Sequence, residues 1–285
     1  MTVRTPGAAT APTEARRSGD PADVRRALDL LAGRRLVVLT GAGLSTDSGI
    51  PDYRGPGAPA RTPMTYQELV SGLEAQQRYW ARSHLGWGRM RGAEPNDGHR
   101  AVAALDPDLL ITQNVDGLHE RAGSRRVVAL HGRISEVVCL GCRETTPRAA
   151  LHARMDALNP GWAQAQGEVE TRPDGDVDLD DTAGFVVPSC ATCGGVLKPD
   201  VVFFGENVPA PRVQRCFDAV DSLGDDGALL VVGSSLTVMS GLRFVRRAAK
   251  AGTPVVIANR GVTRGDDLAT YAVDVGCTEF LTALV

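Results

Sequence analysis

Leu36-Val37-Val38-Leu39-Thr40-Gly41-Ala42-Gly43-Leu44-Ser45-Thr46-Asp47-Ser48-Gly49 decides how the rest of the chain is read. Its opening is a continuous apolar run, the pattern of a strand buried on both faces in a parallel sheet. The glycines that follow allow a tight turn and a close backbone approach to a diphosphate, whose charge would meet amide N–H groups at a following helix N-terminus. The fit to G-x-G-x-x-G is partial. Thr46 holds the third glycine's place, and no acidic residue about 20 positions on ends a second strand. The stretch therefore predicts either a structural glycine turn or dinucleotide binding in an altered form, and it disfavours an ordinary hydride-transferring dehydrogenase.

Similar apolar runs recur at 109–111, 127–130, 228–232 and 254–258, with a weaker one at 272–275, and helical stretches such as 99–105 and 241–250 intervene. Strands alternating with helices predict an α/β fold with a Rossmann-like open parallel sheet. A helix is expected from Asp20-Pro21, with Asp20 as N-cap and Pro21 at the first helical position, until Gly33. Before it, residues 1–19 read as a disordered tail. Its arginines faintly resemble a transit peptide, which Glu14 and the lack of an amphipathic face oppose. Residues 64–96 read as helical and carry Tyr66, Tyr79, Trp80 and Trp87.

With 285 residues, the chain has length for about two domains at roughly 150 residues each. Its 43% hydrophobic and 23% charged residues are those of a globular protein. No run approaches the roughly 20 apolar residues of a membrane helix, so no membrane partner is expected. A net charge of −3 argues against a broad basic surface for nucleic acid. Only Lys198 and Lys250 are lysines among 31 cationic residues, a bias that fits a GC-rich, bacterial genome.

Cys139-Leu-Gly-Cys142 and Cys190-Ala-Thr-Cys193 have the spacing that lets two thiolates reach one metal. Four thiolates close a tetrahedral site, so one structural Zn2+ is expected. The 47 residues between the pairs are tolerable because loop closure grows only logarithmically with length. Two unrelated redox or buried pairs are the alternative. Cys216 and Cys277 default to buried thiols. Without a signal peptide, a disulfide framework is not expected and the location reads as cytoplasmic. The acids Glu168, Glu170, Asp174, Asp176, Asp178, Asp180 and Asp181 form an insert between the pairs, read as a solvated loop or as a lid.

In such sheets ligands bind at the carboxyl ends of strands. Gln113, Asn114, Val115 and Asp116 follow one strand there, and His131 follows another. A His so placed is either a general base near neutral pH or a hydrogen-bonded structural residue. His119 is a minor candidate.

Together, GAGLSTDSGIPDYRG at 41–55, TQNVDGLH at 112–119, LHG at 130–132, the cysteine pairs, KPDVVFFGE at 198–206, GSSL at 233–236 and ANRG at 258–261 resemble the sirtuins, NAD-dependent protein-lysine deacylases. The likeness spans about residues 20–285, and RYWARSHLGW at 78–87 looks most like their class II, sirtuin 4-like branch. The resemblance implies a Rossmann-like domain over 20–63, 97–135 and 195–285. It implies a helical part of a small domain over 64–96, and a zinc-binding module with the acidic insert over 136–194.

Residue by residue, it implies that Gly41, Ala42, Gly43, Thr46 and Asp47 hold the diphosphate and adjoining ribose of NAD. Ile50, Asp52, Gln113, Asn114, Val115 and Asp116 would form the nicotinamide side, with Tyr53 and Arg54 covering the ribose. Gly233, Ser234, Ser235, Asn259, Arg260, Gly261 and Cys277 would take the adenosine half. Val201, Val202, Phe203, Phe204 and Gly205 would pair with a substrate peptide as an added strand. His131 would be the base, with Asn114 and Asp116 in the catalytic set. NAD would be consumed, releasing nicotinamide and O-acyl-ADP-ribose. Tyr79 and Arg82 are similar to a YxxR pattern that binds acidic acyl chains, which predicts longer or acidic acyl groups over acetyl. A protein mono-ADP-ribosyltransferase and a weakly catalytic NAD sensor remain the alternatives. Acyl-lysine proteins are the expected substrates and a monomer the expected state.

Overall fold

The opening apolar run forms β1 (Arg35–Thr40), and every residue in it after Arg35 is buried. A computed structural model of the protein describes residues 17–52, 63–166, 177, 179 and 181–285. The assignments to Tyr53, Arg54 and all of the insert's acids except Asp181 lie outside the described residues.

In chain order the remaining strands are β2 (Leu109–Thr112), β3 (Val127–Ala129), β4 (Gly132–Cys139), β5 (Thr145–Pro147), β6 (Leu197–Val201), β7 (Gly227–Val232), β8 (Val255–Ala258) and β9 (Tyr271–Val273). Six form a sheet in the order β3-β2-β1-β7-β8-β9, parallel throughout. The order reverses between β1 and β7, which places a ligand crevice beyond their carboxyl ends. A second, antiparallel sheet has the order β5-β4-β6.

The helices are α1 (Pro21–Leu31), α2 (Tyr66–Leu69), α3 (Leu73–Gly92), α4 (Asp97–Leu105), α5 (Leu118–Arg121), α6 (Arg148–Leu158), α7 (Trp162–Ala165), α8 (Ala210–Asp221), α9 (Met239–Ala251) and α10 (Cys277–Leu284). Strand periodicity explains the continuous apolar runs. Val37 and Leu39 join a core with Val213, Val220, Phe244 and Val245 of α8 and α9. Leu36 and Val38 face the other way, onto Ala27, Leu31, Val102 and Phe280 of α1, α4 and α10. With both faces covered, each such side chain contributes roughly 1.5–3 kcal/mol of burial, and alternation disappears from the sequence.

Asp20 caps α1 as expected, its side chain accepting from the Ala22 N–H at 2.8 Å. Residues 17–19, read as tail, are held against the sheet edge. Ser18 bridges to Val273 of β9, and Arg17 pairs with Asp266 at 3.2 Å. The helical stretch over 64–96 is two helices, because the Thr65–Glu68 capping box starts α2 and the chain turns at 70–72 before α3. Trp80 of α3 is 1% exposed and centres the small domain's core with Leu69, Val137, Leu151, Phe185 and Leu197.

The two sheets meet at His131. Gly132 begins β4 with φ +86°, and a Cβ there would lie 1.9 Å from the Asp200 carbonyl oxygen, so only glycine fits. The Val202 N–H donates to the His131 carbonyl at 2.8 Å, tying the end of the small sheet to the end of β3.

Candidate functional site

Among the described residues directly after the glycines, up to residue 52, there is no α-helix. Ala42–Leu44 and Thr46–Ser48 form two 3₁₀ turns, ended by Gly49 at φ +80°. The loop is stitched to the reversal point instead: Gly41 N–H donates to Val232 O at 3.1 Å and Gly43 N–H to Gly233 O at 2.9 Å. A Cβ on Gly41 would sit 2.7 Å from the Gly233 oxygen, and one on Gly43 3.0 Å from the Gly233 Cα. These glycines serve backbone-to-backbone approach, which is why the third glycine of the dehydrogenase pattern is dispensable here.

After β2 the chain carries Asn114 and Asp116 under the loop. Asn114 Nδ2 donates to Gly41 O at 3.1 Å and to Ser45 Oγ at 2.9 Å. The Ser45 hydroxyl in turn donates to Asp116 Oδ2 at 2.7 Å, while Asp116 Oδ1 accepts from Leu118 N–H at 2.9 Å. Ser45 is 1% exposed. Burial pushes the Asp116 carboxyl above its usual range, opposed by the two hydrogen bonds that favour its ionised form.

His131 Nδ1 lies 2.9 Å from the Gln113 carbonyl oxygen, and its Nε2 lies 2.8 Å from Ser240 Oγ. A carbonyl only accepts, so Nδ1 carries the hydrogen and Nε2 keeps its lone pair, to which Ser240 donates. Burial lowers the proton affinity of His131 and nearby Arg212 adds to this, against the Gln113 bond that raises it. The imidazole is therefore neutral at pH 7 with a basic nitrogen available. Gln113 itself is held, accepting from Ser234 Oγ at 2.6 Å.

One cavity of about 640 Å³ joins these groups. The loop residues Gly41, Ala42 and Gly43 line it with Ile50, Asp52, Gln113, Asn114, Val115, Asp116 and His131. Gly233, Ser234, Ser235, Asn259, Arg260 and Gly261 line its far end, and Val201, Val202, Phe203, Phe204 and Gly205 its small-domain wall. Six further candidates do not line it. Thr46 Oγ1 donates back to Gly43 O at 3.0 Å, and Asp47 accepts from Thr278 Oγ1 at 2.6 Å. Cys277 backs Gly233 at the start of α10. Tyr79 is buried behind Phe203, with ring centroids 5.3 Å apart, and Arg82 is also absent from the lining. His119 lies behind β1, bonded through Nε2 to Thr40 Oγ1 at 2.9 Å.

The four paired cysteines converge at the end of the small sheet. Cys139 and Cys193 sulfurs are 3.5 Å apart, Cys142 and Cys190 sulfurs 3.8 Å apart. Thiolates about 2.3 Å from a tetrahedral zinc stand roughly 3.8 Å from one another, so the donor set fits one Zn2+ with no open position. A Cβ on Gly195 would lie 2.9 Å from Cys139 Sγ, so this glycine keeps the knuckle clear.

Several polar residues of the site carry no signal in the sequence, among them Ser45, Asn207, Thr237, Ser240 and Arg243. Ser45 stood inside the quoted loop, but its spacing carries no signal that it would bridge Asn114 and Asp116. Ser240 opens α9, and nothing local in sequence points it at His131.

Compared with known proteins, residues 41–240 match the model of the Sir2 family. The chain is 53% identical over 262 residues to NAD-dependent protein deacetylase 1 of Mycobacterium avium, covering 90% of this chain and 92% of that one. It is 54% identical over 259 residues to NAD-dependent protein deacetylase 1 of Streptomyces coelicolor, covering 88% and 85%. A solved structure of Sir2 with a p53 peptide and NAD+ superposes with a TM-score of 0.71 at 30% identity, over 92% of this chain and 96% of that one. Among the described residues no helix is long and apolar enough to cross a membrane.

Proposed function

The chain belongs to the Sir2 family, and on that premise we propose that it is an NAD-dependent protein deacetylase whose reaction runs in the 640 Å³ cavity. The observation that carries this is the continuity of that cavity. The glycine loop, the half-buried amide and carboxyl of Asn114 and Asp116, a neutral imidazole and the end of the small sheet's edge strand line one space.

In this reading the close backbone of 41–43, with the Ala42 N–H as its donor, and the Gly233–Ser235 turn face the diphosphate and adenosine side of NAD, with Asn259, Arg260 and Gly261 beyond them. Asn114 and Asp116, fixed through Ser45, shape the nicotinamide end. The bound dinucleotide supplies an activated ribose carbon on loss of nicotinamide. His131 Nε2 takes a proton from a ribose hydroxyl, and the Gln113 carbonyl holds the ring in the tautomer that leaves this nitrogen basic. Residues 201–205 continue from the edge strand β6 and offer backbone groups to an extended acyl-lysine peptide. The four cysteines hold one structural zinc that fixes the small sheet and takes no part in the chemistry.

Acyl choice is the finer part of the proposal. Tyr79 packs on Phe203, which lines the cavity, and neither Tyr79 nor Arg82 is itself among the described lining residues. The likeness to two protein deacetylases supports acetyl over succinyl or glutaryl. The experiment is a panel of acetyl-, succinyl-, glutaryl- and hydroxymethylglutaryl-lysine peptides with NAD. The acetyl peptide should turn over fastest, and a faster acidic peptide would return the selecting role to Tyr79 and Arg82.

A further inference from the structure

Among the described residues, outside the cavity and apart from the cysteines, one set of metal-capable side chains has no part in the proposed reaction. His84 on α3 and His152 and Asp156 on α6 converge so that one donor atom of each lies within 4.8 Å of the others. His84 Nε2 is 3.2 Å from Asp156 Oδ1, and His152 Nε2 is 3.7 Å from Asp156 Oδ2. Donors about 2.0–2.1 Å from a tetrahedral ion stand roughly 3.3 Å apart, close to both separations. His152 and Asp156 are four residues apart on one helix and therefore share a face.

A second observation separates this cluster from an ordinary surface ion pair. The His84 side chain is 3% exposed, and Nδ1 of both His84 and His152 is buried with no hydrogen-bond partner. The rings stack, centroids 4.2 Å apart, and share a single carboxylate. One buried and one half-buried imidazole are thus held between α3 and α6 with fewer partners than their polarity requires.

The geometry points to a second divalent transition-metal site, formed by His84, His152 and Asp156, that clamps α3 to α6. Two imidazoles and one carboxylate suit zinc, cobalt or nickel, not magnesium or calcium. Asp156 is 58% exposed, so water reaches the open coordination positions from its side. Binding requires the His152 ring, 24% exposed, to turn out of the stack so that its lone pair aims at the ion. The guanidinium groups of Arg148 and Arg91 act on His152 and oppose a dication, which sets this affinity below that of the four-cysteine site. Met90, near the end of α3, lines the catalytic cavity, so an ion here stiffens the helix that carries part of that wall.

The test is metal stoichiometry of the full chain, dialysed against Zn2+ and, separately, titrated with Co2+ while monitoring its ligand-field absorption. Wild type should hold one equivalent more than His152→Ala and Asp156→Asn, and added metal should raise the melting temperature of wild type only. Both substituted side chains reach the surface, and His152→Gln provides a milder change should either variant fold poorly. Equal stoichiometry in wild type and variants, with no Co2+ absorption lost, overturns the site.

Discussion

The Gln113 carbonyl oxygen accepts a hydrogen bond from His131 Nδ1 at 2.9 Å, which leaves the lone pair on the other ring nitrogen, the one that the proposed reaction uses as its base. The bond joins the carboxyl end of β2 to the residue where the two sheets meet, so the fold itself fixes the tautomer. His131→Ala should therefore lower deacetylation by about 10²- to 10⁴-fold, the usual contribution of a positioned base. Calorimetric NAD binding and zinc content should stay near wild type. Near-normal turnover would remove His131 from the reaction. Because burial lowers its proton affinity, the acid limb of kcat/KM should fall below the ordinary histidine value of 6.5.

Ser45 is predicted to matter as much as its partners. Ser45→Ala removes one of two acceptors for Asn114 Nδ2 and the donor to Asp116 Oδ2, a loss of about 1–3 kcal/mol at the half-buried carboxylate oxygen. Nicotinamide release should slow by at least about tenfold, given that 1.4 kcal/mol is a factor of ten in rate. Unchanged kinetics with an intact fold would show that Asn114 and Asp116 need no bridge.

A buried histidine pair makes the protein acid-sensitive. His99 and His119 stack edge to face, centroids 4.8 Å apart, behind the glycine loop. Burial pushes His99 down to about 4 and His119 down to about 3. The unfolded chain takes up these protons near pH 6.5 and the folded chain does not, so stability rises with pH across that window. Stability should fall as pH drops from 6.5 toward 4, by up to about 1.4 kcal/mol per pH unit for each group. Urea midpoints at pH 7 and pH 5 measure this, and His119→Gln should flatten the slope. An identical slope in that variant would place the acid sensitivity elsewhere.

Zinc is expected to act on folding alone. Cys139→Ser should lose the metal and lower the melting temperature sharply, since structural zinc contributes folding free energy directly. Elemental analysis beside thermal unfolding reads both. A stable, active variant without metal at the cysteines would contradict a structural role.

Much of this was legible in the sequence because the decisive signals are local. The run at Leu36, the loop at Gly41, the two C-x-x-C pairs and the placement of His131 after a strand each carry their chemistry within a few residues. In place of the helix expected after the glycine loop, the described residues form two 3₁₀ turns, with the loop braced by Gly233 just after β7. Likewise, Ser240 reaches His131 across 109 positions, and the His84–His152–Asp156 cluster spans two helices that no spacing rule links. Such long-range polar contacts depend on how α3, α6 and α9 dock. Local pattern does not encode that.

The most direct test of the whole account is product analysis of one turnover mixture: enzyme, acetyl-lysine peptide and NAD, followed by mass spectrometry. Deacetylated peptide, nicotinamide and O-acetyl-ADP-ribose should appear in equal amounts, with none formed when NAD is left out. Free acetate without nicotinamide, or an ADP-ribosyl adduct on protein in place of O-acetyl-ADP-ribose, would contradict it.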